Sequence, residues 1–272
     1  MKLLNKFIRT PFSTKPGNQI VHCSHHKVGT VWFKNVLSAI CNYYGLSFSD
    51  ISKVLNNLEA DVIFDDHAKV DLHRLNRSYL GSHMIRDLRD MVISGYHYHL
   101  WTGEEWANTR ISELGSEIAD YWPLLPVNDI QDKTYKEYLN SLDKEDGMIA
   151  EIQRASSTDF KDIIDWNYQD KSIFNFKYED IMLDEEGVFS KIFRHYGFHD
   201  KAVEKCVEIA MQFSFKRQSS SKSGSSVSEK SHLRSGKLNQ WRDEFSPKHI
   251  EYFKELHGQD LINLGYEKDF SW

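Results

Sequence analysis

The feature that most constrains this chain is a short apolar run, Ile20-Val21-His22-Cys23, that opens into Ser24-His25-His26-Lys27-Val28-Gly29-Thr30 and then into a helical pattern. A strand that feeds a glycine turn and a helix is an opening unit of α/β folds. It is also a ready-made anion cradle. Gly29 lets the backbone bend close to a ligand. The first amides of the helix then point at that ligand with the positive end of the dipole behind them, and Lys27 adds a mobile full charge. A ligand carrying phosphate or sulfate is the expectation.

The rest of the chain continues the alternation. From Val31, the positions Trp32, Phe33, Val36, Leu37, Ile40 and Tyr44 keep helical spacing, and Gly45 reads as the stop. Strands are expected at 62–64, 83–85 and 173–176. Thr134 with Glu137 has the form of a capping box. Val188, Phe189, Ile192, Phe193 and Tyr196 form a second helical stripe ending at Gly197, and Ser246-Pro247 caps a last helix. This order predicts an α/β fold with a parallel central sheet flanked by helices, and ligands of such sheets bind where strands end and helices begin. The loops after Cys23, Phe64, Ile85 and Phe176 are therefore candidates to line one site. Residues 218–231, dominated by Ser, Gly and Lys, read as a mobile, lid-like loop.

Composition limits the partners. The 272 residues carry a net charge of −6, which argues against a general nucleic-acid binder. Any anion site must be local. Forty per cent hydrophobic content is enough for a substantial core. Three cysteines, odd in number and widely spaced, fit neither a disulfide framework nor a zinc cluster, and a reducing compartment suits them best. His22, His25 and His26 lack partners at metal-site spacing, so no metal is expected. Charge breaks the first residues before a signal-length apolar run forms, and no stretch approaches the ~18 apolar residues of a membrane span. A cytoplasmic protein is the expectation. Nothing in the sequence fixes the oligomeric state.

The lysine–glycine loop is not a Walker A sequence, because the lysine precedes the glycine. It resembles the 5′-phosphosulfate loop of the sulfotransferases, Pro-Lys-Ser-Gly-Thr-Thr-Trp, with His26 for the proline and Val28 and Val31 for two hydroxyl residues. Lys27, Gly29, Thr30 and Trp32 match. A second segment, His83 to Tyr96, resembles the family's 3′-phosphate motif, with Arg86 and Ser94 at the motif's eight-residue spacing. A guanidinium fork and a hydroxyl on the following helix suit one phosphate. A third, Arg234-Ser235-Gly236 with Trp241, resembles the segment that closes over the same phosphate, Ser235 replacing a lysine. Tyr178-Glu179-Asp180 resembles a strand-end Tyr-Glu-Asp whose tyrosine lies near the adenine, and Phe215 is a weaker match to another adenine-side aromatic.

The resemblance spans residues 20–266 in order. It implies a single sulfotransferase domain over 1–272 with the three-layer, P-loop-NTPase-like fold. It also implies the donor 3′-phosphoadenosine 5′-phosphosulfate (PAPS; product PAP). The reaction is in-line sulfuryl transfer to a hydroxyl or amine of a small-molecule or saccharide acceptor. Cofactor binding falls to Lys27, Gly29, Thr30, Val31, Trp32, Arg86, Ser94, Tyr178, Phe215, Arg234, Ser235 and Gly236. Lys27 would also neutralise the leaving oxygen, and stacking on adenine is the implied role of Trp32. Asp65-Asp66-His67 looks like the family's Lys-Thr-His segment, which makes His67 the base, with Asp66 as its orienter or as the base itself. Tyr96, Tyr98, Trp101, Trp106, Tyr121 and Trp122 suit an acceptor pocket or a core equally. Two alternatives remain: an atypical nucleotide kinase or phosphoryl transferase, and a nucleotide-binding module without catalysis.

Overall fold

The computed structural model describes residues 10–12, 18–51, 57–115, 117–214 and 236–272. Among these residues six helices have ten or more residues: α1 (Thr30–Tyr44), α2 (Leu88–His99), α3 (Lys144–Ser157), α4 (Glu185–His195), α5 (Asp200–Met211) and α6 (Pro247–Asn263). The strands are β1 (Gln19–Cys23), β2 (Phe48–Asp50), β3 (Val62–Asp65), β4 (Tyr79–Ile85) and β5 (Ile173–Lys177). The described residues form two compact units, one drawn from 1–85 and 167–224 and the other from 86–166 and 225–272.

The first unit contains one five-stranded sheet, ordered β2-β3-β1-β4-β5 and parallel throughout. All five residues of β1 are buried, as expected for the middle strand of a sheet covered on both faces. Cys23 sits beside Asp65 of β3 on one side and beside His83 of β4 on the other, so these strand ends are level. The chain runs from β1 to β2 and β3 on one side of it and then crosses to β4 and β5 on the other. The carboxyl end of β1 is therefore the topological switch point, where open α/β sheets bind ligands.

Helix α1 forms where the stripe predicts it. It buries Trp32, Phe33, Val36, Leu37, Ile40 and Cys41, and ends at Gly45, whose φ of 71° and amide bond to the Cys41 carbonyl close the last turn. The apolar stripe of α4 supplies Phe189, whose ring stacks on Phe33 at 5.7 Å. His22 lies in this core with its ring 3.9 Å from Phe33, and its Nδ1 is 2.7 Å from Ser82 Oγ, which meets the Tyr196 hydroxyl at 2.6 Å. All three cysteines are buried and none forms a disulfide.

In the second unit α3 packs against α2 and α6. Its centre is ionic. Glu151 is fully buried and accepts hydrogen bonds from Tyr135 Oη at 2.7 Å and Arg154 Nη2 at 2.8 Å, with His99 Nδ1 at 2.9 Å. Burial opposes its charge, but Arg154 and His99 hold the carboxyl down at about 2. Tyr96, Tyr98 and Trp122 are buried, and Trp106, Trp122 and Tyr135 pack ring against ring, so most of the aromatic group belongs to core. Tyr121 is exposed. The predicted capping box at Thr134 and Glu137 forms and opens a short helix, Tyr135–Asn140.

Candidate active site

The loop leaving β1 turns sharply. Lys27 has φ 67° and Gly29 has φ 92°, two left-handed residues within three positions. The lysine's geometry costs on the order of 1 kcal/mol relative to a glycine there. Thr30 Oγ1 donates to the His25 carbonyl at 2.9 Å and the Val28 amide closes on the same oxygen at 3.4 Å, which pins the turn from inside. Gly29 is the N-cap of α1 and offers no side-chain cap, and no acidic residue occupies the first turn. The leading amides of a 15-residue helix are therefore not consumed by a capping side chain, which is the condition for an anion site. Side-chain acceptors here would compete with a bound anion.

Tyr178 completes this corner. It starts the short helix Tyr178–Leu183 directly after β5, and it is buried. A Cβ placed on Gly29 would lie 3.1 and 3.3 Å from its ring carbons. The glycine is thus required both by its φ and by the ring packed on it. Trp32 is buried edge-on to Phe189 at 5.7 Å, with its indole N–H making no hydrogen bond among the described residues. Val28 is buried and Val31 is exposed.

Behind the loop, two buried histidines meet: His25 Nε2 and His83 Nε2 are 2.7 Å apart, and His83 Nδ1 is 3.0 Å from Asn175 Oδ1. Burial keeps both imidazoles neutral, pushing His83 down to about 3 and His25 well below its ordinary value. The pair carries no charge that would oppose the cation of Lys27 at working pH.

The loop after β3 carries the expected base. Asp65 is buried and spent on structure: Oδ1 accepts the His67 amide at 3.0 Å and Oδ2 the Val70 amide at 2.6 Å. His67 stands out from this turn, its side chain half exposed, with Nδ1 2.7 Å from Asp66 Oδ1. Partial burial works against the Asp66 charge, but the hydrogen bond and charge of His67 hold its carboxyl below the usual range. The contact is an acid–histidine arrangement of the kind that orients an imidazole and favours its protonated form. A cavity of about 310 Å³ opens beside it, lined by Ile51, Leu58, Val70, Asp66, His67 and Arg74 among others.

In the second unit, Arg86 is the first residue after β4 and is buried, with Nη2 3.6 Å from Asp90 Oδ2. Asp87 caps α2 by accepting the Arg89 amide at 2.9 Å. Ser94 lies on α2, half-buried. Gly236 has φ 63° and begins the turn that leads to Trp241. Residues Phe215, Arg234 and Ser235, the loop 218–231 and the first nine residues lie outside the described residues.

Three features of these two units escape sequence reading. The left-handed Lys27 has no residue-type signal. The contact of Tyr178 with Gly29 joins positions far apart in the chain. The buried carboxylates Asp87 and Asp90 look like ordinary surface charges of an Arg-Asp-Leu-Arg-Asp run.

The sequence matches the sulfotransferase domain over residues 18–265, and the chain belongs to that family. No curated protein matches it. Among solved structures, a mouse sulfotransferase, SULT7A1, complexed with PAP is similar at 18% identity, covering 93% of this chain and 87% of its own, with a TM-score of 0.50. A retinol dehydratase in complex with androsterone and inactive cofactor PAP is similar at 13% identity, covering 92% and 82%, with a TM-score of 0.48. The first likeness shows the P-loop-like sulfotransferase fold; membership in the family makes the chain a sulfotransferase, and the nucleotide-kinase alternative falls away. No described helix is long and apolar enough to cross a membrane.

Proposed function

We propose that this enzyme transfers the sulfuryl group of PAPS to a hydroxyl of a small acceptor held in the cavity beside His67. The observation that carries the reading is the loop from His25 to Thr30, with its two left-handed residues and a helix N-terminus without a capping side chain. PAP accompanies the mouse relative in its structure, which supports the same nucleotide here. In this reading the amides from Gly29 to Trp32 hold the 5′-phosphate, and Tyr178 fixes the glycine against it. Arg86 and Ser94 take the 3′-phosphate, with Gly236 in the segment that covers it. Arg234, Ser235 and Phe215 keep the cofactor contacts implied by resemblance.

Each step has a residue. Asp66 orients His67, and His67 removes the acceptor proton as the acceptor oxygen bonds to sulfur. The bond between sulfur and the bridging phosphate oxygen breaks, and Lys27 neutralises the charge that gathers on that oxygen. PAP and the sulfated acceptor leave, with the proton on His67 returned to solvent. No metal takes part in this reading, since Lys27 and the helix N-terminus supply the positive charge. Apolar Ile51, Leu58 and Val70 beside polar Asp66 and Arg74 suit an acceptor with a hydrophobic body and a polar end. The acceptor class, whether phenol, lipid or saccharide, and a cytoplasmic setting belong to the proposal.

The test is transfer of labelled sulfate from PAPS to a panel of hydroxyl acceptors. Wild type should turn over at least one acceptor, and His67→Ala should lose ~10²–10⁴-fold in kcat. Binding of PAP by wild type with no transfer to any acceptor would favour a nucleotide-binding module without catalysis. Turnover unchanged by His67→Ala would remove the base assignment.

A further inference from the structure

Asp90 is fully buried on the first turn of α2, and its two oxygens face different things. Oδ1 accepts the backbone N–H of Trp241 at 3.1 Å, and the Asn239 N–H also bonds the carboxylate. Oδ2 accepts no hydrogen bond among the described residues and faces Arg86 Nη2 across 3.6 Å. A buried carboxylate oxygen without a hydrogen bond is costly and calls for a reason. Its neighbour shows what a purely structural pair looks like on the same turn. Arg89 is clamped by Asp87 through two bonds of 2.9 and 2.7 Å and by Glu267 at 2.6 Å, and lies between the Trp241 and Trp272 rings. The Arg86–Asp90 pair is longer and sits at the end of β4. The turn that Asp90 holds contains two left-handed residues, Gly236 at φ 63° and Asn239 at φ 57°.

We propose that Asp90 is a positioning residue for recognition of the 3′-phosphate: one oxygen sets the pose of Arg86, and the other ties the 236–241 turn to it. The proposal rests on the PAPS reading above and deepens it. One carboxylate then links the cation that meets the phosphate to the segment that follows the closing sequence. Asp90 touches no ligand and acts through Arg86. Asp87, also near Asp90, is engaged by Arg89, so Arg86 is the cation that Asp90 serves.

The experiment compares calorimetric affinities of PAP and adenosine 5′-monophosphate, which differ only by the 3′-phosphate, for wild type and Asp90→Asn. The asparagine keeps an acceptor for the Trp241 amide and removes the charge facing Arg86. Wild type should prefer PAP, and Asp90→Asn should shrink that preference by about tenfold while leaving the monophosphate affinity unchanged. In an Arg86→Ala background the same substitution should change nothing further. An unchanged preference, or equal loss of both nucleotides, overturns the proposal and leaves Asp90 a structural residue. If Asp90→Asn does not fold, amide exchange in wild type decides. PAP, and not the monophosphate, should slow exchange at Asn239 and Trp241, and equal protection by both overturns the proposal. Binding of neither nucleotide to wild type refutes the cofactor reading itself, and the role of Asp90 falls with it.

Discussion

Gly29 and Lys27 show how much of this site depends on single backbone positions. A side chain at Gly29 meets a φ of 92° and the ring of Tyr178 at 3.1 Å. Gly29→Ala should cost ~1–2 kcal/mol of stability, read from denaturant unfolding, and weaken PAP binding more than that loss alone explains. Lys27→Ala has the opposite signature. It keeps the left-handed backbone, whose cost comes from the Cβ that alanine retains, and removes the charge proposed to neutralise the leaving oxygen. Thermal midpoint should move little while kcat falls ~10²–10³-fold, measured with saturating PAPS. These residues were legible in the sequence as types at a spacing. The strain at Lys27 was not, because a left-handed lysine has no signature in composition or periodicity.

At the scale of elements, the paired strand ends and the first turn of α2 give two further tests. His22, His25 and His83 are buried at the ends of β1 and β4, and burial lowers all three, His83 to about 3. Above about pH 6.5 these groups are neutral in both folded and unfolded chains and contribute nothing to pH dependence. As pH falls below that value the unfolded chain takes up protons that the folded chain refuses. Stability should therefore fall between about pH 6 and pH 4, by up to ~1.4 kcal/mol per pH unit for each histidine. Unfolding of His83→Asn across this range should show a shallower acid limb; an identical slope would contradict the burial account. On α2, removing Arg89 takes the guanidinium away from buried Asp87 and from Glu267, so Arg89→Ala should cost ~3–5 kcal/mol in unfolding free energy. The long periodic elements were readable: α1, α4, α6 and four strands lie where spacing places them. Strand β2 was missed because Phe48-Ser49-Asp50 is three residues without an apolar run, and it becomes a strand only by pairing with β3. The ionic centre around Glu151 was equally hidden, since nothing local shows that a helical glutamate faces inward.

For the molecule as a whole, the sequence, the sheet order and the cradle agree. A central β1 with neighbours on both sides creates a switch point, and a loop shaped to hold an anion issues from it. Four motif resemblances in chain order made the family readable before any geometry, and the domain match over residues 18–265 bears that out. What the sequence left open is the acceptor, which in the proposed reading depends on the shape of the cavity beside His67 and not on a spacing. The measurement that bears most directly on the central claim is calorimetric titration of PAP into wild type and Arg86→Ala, with ATP as the control ligand. Saturable PAP binding that is weakened at least tenfold by the substitution, and is absent for ATP, is the predicted result. Absence of PAP binding to wild type, or a preference for ATP, would contradict it.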